Sequence, residues 1–302
     1  MNDTPLSPWQ LAVDWPAANP TLAWWSLLCT VALANVLAWL ACAALLRRRA
    51  GTLAPPVLAL TRWQLLLSAG YVLGCGYRSV FPVFDIARQV MVDSWLSSVI
   101  VGRSVATVAE LCFAAQWALL LGRLAQAGGS MTAARAAKAV LPMIAVAEIC
   151  SWYAVLTTSN LGHVVEESLW GLSALLLAAS FVHLSPRSQR ELRPLLLGAG
   201  LLGLAYALYM FQVDVPMYWA RWVHDVDHGR PFLSVAQGVL DASSRWVVSH
   251  RWADWQSEVV WMSLYFSVAV WFSLGLIHAS SRIAPQPAPA SVGLRGYRPL
   301  PH

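Results

Sequence analysis

Residues 93–123, DSWLSSVIVGRSVATVAELCFAAQWALLLGR, form a run long and apolar enough to cross a bilayer, yet Arg103 and Glu110 lie inside it. An ionisable side chain at bilayer depth is costly, so neither group is expected to face lipid, and both should point into a bundle or a wet cavity. Their spacing returns Glu110 to within about 20° of the face of Arg103 and about 10 Å further along the axis. Thr107 shares that stripe, while Val101, Val105 and Val108 offer apolar surface for packing or lipid. A helix of this kind needs neighbours.

The rest of the chain supplies them. Apolar runs recur over 22–46, 60–80, 95–122, 139–158, 161–184, 194–212 and 258–278. Hydrophobic residues make up 58% of the chain and charged residues 12%, against about 25% charged in soluble domains. The net charge of +5 comes from arginines and the single lysine, Lys138, placed mostly in short loops. Basic residues cluster at 47–49, 123–138, 187–193 and beyond 282, which puts those segments in the cytoplasm and the first residues outside it. Trp24, Trp25, Trp95, Trp219, Trp252 and Trp261 then fall near the outer interface, where an amphipathic ring is favoured. The expected fold is an all-α integral membrane protein: a seven-transmembrane helix bundle, N-terminus out and C-terminus in. A short outer arm over 1–20 precedes it, an interfacial helical loop over 214–257 joins helices 6 and 7, and a disordered cytoplasmic tail covers 281–302. The expected location is a bacterial inner (cytoplasmic) membrane, with the lipid bilayer as principal partner.

Several classes are disfavoured. The seventh span holds no lysine for a retinal Schiff base. Cys29, Cys42, Cys75, Cys112 and Cys150 lie in apolar segments without CxxC spacing, which argues against a disulfide framework, a zinc ribbon and c-type haem. His183 and His278 sit at inner span ends, where snorkelling is commoner than haem ligation. The HExxH and Gly-x-Ser-x-Gly patterns are absent, and no basic patch with interleaved aromatics suggests nucleic acid.

Depth turns the remaining charges into a constellation. With each span centred on the bilayer, Glu110 and Glu148 fall near the midplane, as candidates for acid or base, and Arg103 joins them as a catalytic candidate. Arg103, Glu166 and Glu167 fall somewhat nearer the outside, and Arg103 is expected to pair with Glu166 or Glu167, a buried ion pair that fixes helix register without any chemistry. In the loop, MYWARWVHDVDHGRP places His224 and His228 four apart with Asp225 and Asp227 between them. These four, with His163 and Glu258 as further donors, form a candidate site for a divalent transition metal such as zinc, iron or manganese. The same pattern also describes the solvated face of a membrane-surface helix.

Two functions fit. One is a metal-dependent, membrane-embedded enzyme acting on a lipid or other amphiphile from the outer leaflet. The other is a proton- or ligand-coupled transporter or seven-helix sensor without catalysis. The topology is checked with reporters: fusions after Arg49, Arg135 or Arg190 should report cytoplasm, and one near Gly229 should report the outside. A cytoplasmic signal from Gly229 would reverse the orientation.

Overall fold

The computed structural model describes residues 19–282, so the expected outer arm and tail lie almost wholly outside the described residues. Among these residues, seven helices are long and apolar enough to span a membrane. The chain is a multi-pass membrane protein with a bilayer environment.

The first span is α1 (Pro20–Arg49), capped by the side chain of Asn19, which accepts from Thr21 N, and ending on three arginines. The second, α2 (Pro55–Val80), begins on two prolines, whose missing N–H groups cost nothing in a first turn. The hairpin β1 (Val83–Phe84) and β2 (Gln89–Val90) leads into α3 (Val99–Ala127). A turn through Gly129, at φ +61°, and the N-cap Ser130 start α4 (Met131–Thr157), and α5 is Leu161–Leu184. The sixth span is α6 (Arg193–Tyr209). It continues through a π-helical turn, Met210–Asp214, into α7 (Val215–Asp227). Pro216 has no N–H for the carbonyl four residues back, and the wider turn lies beside that break. The segment containing His224 and His228 is therefore continuous with the sixth span.

After α7 come α8 (Val235–Ser244), opened by a capping box from Ser234 and Gln237, then β3 (Val247–Val248) and the short α9 (Trp252–Trp255). The seventh span is α10 (Val259–Leu264) and α11 (Val270–Ser281), joined by a second π-helical turn, Tyr265–Ala269. At one end of the bundle β2 pairs antiparallel with β1 and parallel with β3. This is the sheet end; the opposite end carries the arginines of α1. Arg88 staples the sheet end together: Nε donates to Asp241 Oδ2 at 2.8 Å, Nη1 to the Asp85 carbonyl at 2.7 Å and Nη2 to the Val155 carbonyl at 2.9 Å. Those bonds hold Arg88 at φ 57°, a left-handed conformation that few non-glycine residues adopt. Nearby, hydrogen bonds from Ser249 and Arg251 hold the Asp254 carboxyl below the usual range.

From the first span to the sixth each packs on the next, and the seventh returns to the second, touching the first and third as well. Spans six and seven scarcely touch, so the ring of helices has a seam. Trp24, Leu28, Tyr71, Trp255, Met262 and Phe266 fill the space between spans one, two and seven. Leu121, Leu124, Phe181 and Leu184 fill the arginine-rich end.

Lipid does not reward burying one apolar side chain against another, so close approach and polar pairing must do more of the work. Gly70 and Gly74 let α2 lie against Cys112 and Ala109 of α3, while Gly76, on the same GYVLGCG segment, faces open space. The side-chain amides of Gln64 and Gln116 each donate to the other's backbone carbonyl, at 2.9 and 3.1 Å. Ser273 Oγ, from the seventh span, donates to Gln116 Oε1 at 2.6 Å. Asn35 Nδ2 donates to the Phe266 carbonyl inside the second π turn at 2.8 Å.

Between α4 and α5 the close approach is at Gly162, where an added Cβ would meet the Cys150 carbonyl and come within 2.8 Å of Ala154 Cβ. Gly162→Ala should lower stability by about 1–3 kcal/mol, the usual range for overpacking. Gly198→Ala, a site with nothing within 4 Å, should be neutral or slightly stabilising. Unfolding of both variants in the same detergent checks the pair; equal melting would disprove the close α4–α5 contact.

Candidate functional site

Three spans send carboxylates to one guanidinium. Arg103 Nη2 donates to Glu148 Oε2 at 2.7 Å, and to Glu110 Oε2 and Glu166 Oε1 at 3.2 Å each. All four side chains are buried. α3 supplies Arg103 and Glu110 from one face, α4 supplies Glu148 and α5 supplies Glu166, so a single side chain ties three helices together. Further donors set the acid groups in place. Thr107 Oγ1 donates to Glu148 Oε2 at 2.7 Å and receives a bond from Trp152 Nε1 at 3.1 Å. Tyr265 Oη, from the second π turn, donates to Glu110 Oε1 at 2.9 Å.

His163 extends the network. Its Nδ1 lies 2.6 Å from Glu166 Oε2, and its ring lies 4.9 Å from that of Tyr218 on α7. The other ring nitrogen has no hydrogen-bond partner among the described residues. Arg103 Nε and Glu148 Oε1 are also buried without partners, leaving one donor and one acceptor for something else.

No protein-family model, no curated protein and no solved structure matches the chain. The site must be judged by its own chemistry. One guanidinium balances one of the three carboxylates; the charge of the other two has to be met by protons, by His163 or by a bound cation. Oxygen atoms of Glu110, Glu148 and Glu166 lie within 4.8 Å of one another, the single such metal-compatible group of three or more donors among the described residues. Arg103 Nη2, in contact with all three, stands where a cation would sit, so metal binding there requires the guanidinium to move.

The six residues of the candidate metal site are not gathered in this way. The rings of His224 and His228 lie 4.0 Å apart, tilted by 36°, and His228 Nδ1 lies 2.8 Å from the His224 carbonyl. Asp225 accepts from Arg230 at 2.8 Å and Asn160 at 3.2 Å, and Asp227 is exposed. His163 belongs to the Arg103 network, and Glu258 lies at the mouth of the seventh span. Glu167, one residue from Glu166, does not bond Arg103 and instead faces a large cavity.

That cavity, of about 1430 Å³, lies between spans three, five, six and seven, along the seam. Arg103, Glu110, His163, Glu166 and Glu167 line it near the sheet end, with Arg78, Asp85, Arg221 and Glu258 beyond them. Toward the other end Phe113, Trp117, Leu120, Leu177, Phe181 and Phe272 replace the polar groups. The shape is that of a chamber with a polar head and an apolar shaft. Tyr265 and Tyr218 touch this network and were not singled out from the sequence; each belongs to a helix continued through a π turn, and how such a turn aims the side chains that follow is not written in the local pattern.

Removing Arg103 should leave its acid partners uncompensated. Arg103→Leu should cost about 3–5 kcal/mol or prevent folding, and adding Glu148→Gln should recover part of the loss. Denaturant unfolding of the single and double variants reads the difference, and a double variant no more stable than the single would refute the shared pairing.

Proposed function

We propose that this chain is a membrane-embedded enzyme performing acid–base chemistry on the head group of an amphiphile that enters the cavity sideways from lipid. The observation that carries this reading is the His163–Glu166 pair at 2.6 Å on the wall of a half-polar, half-apolar chamber. A carboxylate on one imidazole nitrogen fixes ring orientation and tautomer, which leaves the other nitrogen to take or give a proton. His163 is the general base or acid, Glu166 orients it, and Arg103, through its unpartnered Nε, is placed to receive developing negative charge. Glu110 and Glu148 hold Arg103 in position and can store or relay a proton. The scarcely packed seam between spans six and seven supports entry from the bilayer, and the aromatic shaft supports an acyl or isoprenoid tail. The bias of arginines supports a sheet end outside the cytoplasm and so an outer-leaflet substrate.

This reading rests on the His163 pair rather than on the histidines of α7. One observation favours the alternative of transport: the cavity extends to His278 and Arg282 at the far end of the bundle. Between the acid cluster and that end its wall is apolar, which suits a lipid tail better than a polar solute.

The test is lipid mass spectrometry of membranes, or of defined lipid mixtures, incubated with purified protein. A product should form with the wild type and fall by about 10²–10⁴-fold in His163→Gln, the range for loss of a general base. Glu166→Gln should lose less while remaining folded. Movement of an unchanged lipid or solute across proteoliposomes, with no product formed, would replace the enzyme by a transporter.

A further inference from the structure

At the sheet end of the cavity, on the last turn of α2, Arg78 is 3% exposed. Its Nε and Nη1 are buried without a hydrogen-bond partner, and it joins no ion pair among the described residues. Its guanidinium carbon lies 5.9 Å from the centroid of the Phe266 ring. A cation–π contact covers one face of the group and leaves the N–H donors on its edge unmet. Buried charges are normally paired as well as hydrogen-bonded, because desolvating them alone is costly. Asp85 and Glu258 line the same cavity but neither bonds Arg78.

Arg78 is not alone in this respect. Arg103 Nε is buried and unpartnered on the same cavity, and Arg221, over the Tyr218 ring at 5.5 Å, makes no ion pair among the described residues. Donors from three spans thus converge on one polar chamber that continues into an apolar shaft.

We propose that Arg78 is the anion-binding residue of this cavity, taking the phosphate or carboxylate of the ligand's head group. The inference rests on the amphiphile reading above and names the chemistry of its head. A planar guanidinium with two free donors suits two oxygens of one phosphate or carboxylate. Arg78 bonds neither His163 nor Glu166, so it anchors the head group and carries no proton. Asp85 and Glu258, on the same wall, would face any cationic part of that head group.

Thermal unfolding in detergent tests the proposal with three probes: phosphatidylglycerol, diacylglycerol with the same chains, and inorganic phosphate. Phosphatidylglycerol should raise the melting temperature of the wild type well beyond diacylglycerol, which has the tail and lacks the anion. In Arg78→Met the affinity for phosphatidylglycerol should fall by about tenfold or more, as for loss of a charge-assisted hydrogen bond, while that for diacylglycerol stays unchanged. Arg78→Lys should retain part of the preference. Without lipid, Arg78→Met should melt no lower than the wild type, since the side chain it removes has no polar partner. Stabilisation by inorganic phosphate matching that by phosphatidylglycerol supports the anion site with a free anion as its source. Equal stabilisation of the wild type by the two lipids, or an undiminished preference in Arg78→Met, overturns the anion site and leaves the amphiphile reading standing. No stabilisation by either lipid overturns the amphiphile reading itself. If Arg78→Met does not fold, the wild-type lipid comparison and Arg78→Lys still decide the matter.

Discussion

A guanidinium placed in a membrane interior has to be answered by acids, and Arg103 is answered by three, from three different spans. That requirement sets the arrangement of the bundle's middle. α3, α4 and α5 must present their polar stripes to one point, and the short turns between them keep them adjacent. The apolar faces can then turn outward, where Leu27, Leu37, Leu201 and Leu208 meet lipid. Since lipid and protein interior are equally apolar, the polar contacts give the helices their rotational setting. The Gln64–Gln116–Ser273 junction does the same for spans two, three and seven.

A bundle pinned in this way can leave one contact unmade. Spans six and seven stand apart, and each contains a π-helical turn on the flank of the cavity. Such turns widen a helix by one residue and redirect the side chains that follow. Here the redirection brings Tyr265 to Glu110 and carries α7 over His163, so the two helices that fail to close the ring still complete the polar chamber.

Much of the fold was legible because bilayer thickness turns composition into length: a run of some 20 apolar residues has one economical conformation. The Arg103 and Glu110 stripe was legible for the same geometric reason, since seven residues make nearly two turns. Which of two adjacent acids would reach Arg103 was not. Glu166 and Glu167 differ by about 100° around α5, and only the placement of α3 and α4 sends Glu166 to Arg103 and Glu167 to the cavity. The HDVDH segment illustrates the opposite problem. Its spacing suggested convergence, yet Asp225 is held by Arg230 close by and by Asn160, the latter a contact that depends on how α7 meets the start of α5. The small sheet left no trace either, because two-residue strands have no period to detect and β2 finds β3 far along the chain.

That distant pairing bears on how the protein is made. The hairpin after α2 leaves the ribosome long before β3, and Gln116 before Ser273, so the sheet end and the amide junction stay incomplete until the last span arrives. Chains emerge at about 5–20 residues per second, which makes the passage from α7 to the seventh span last roughly two to six seconds. During that interval Arg78 lacks the ring of Phe266, and the side of the acid cluster later covered by Tyr265 is open. A bilayer penalises polar groups left unmet, so the connection between spans six and seven also sets how long the half-built protein must be shielded by the machinery that inserts it.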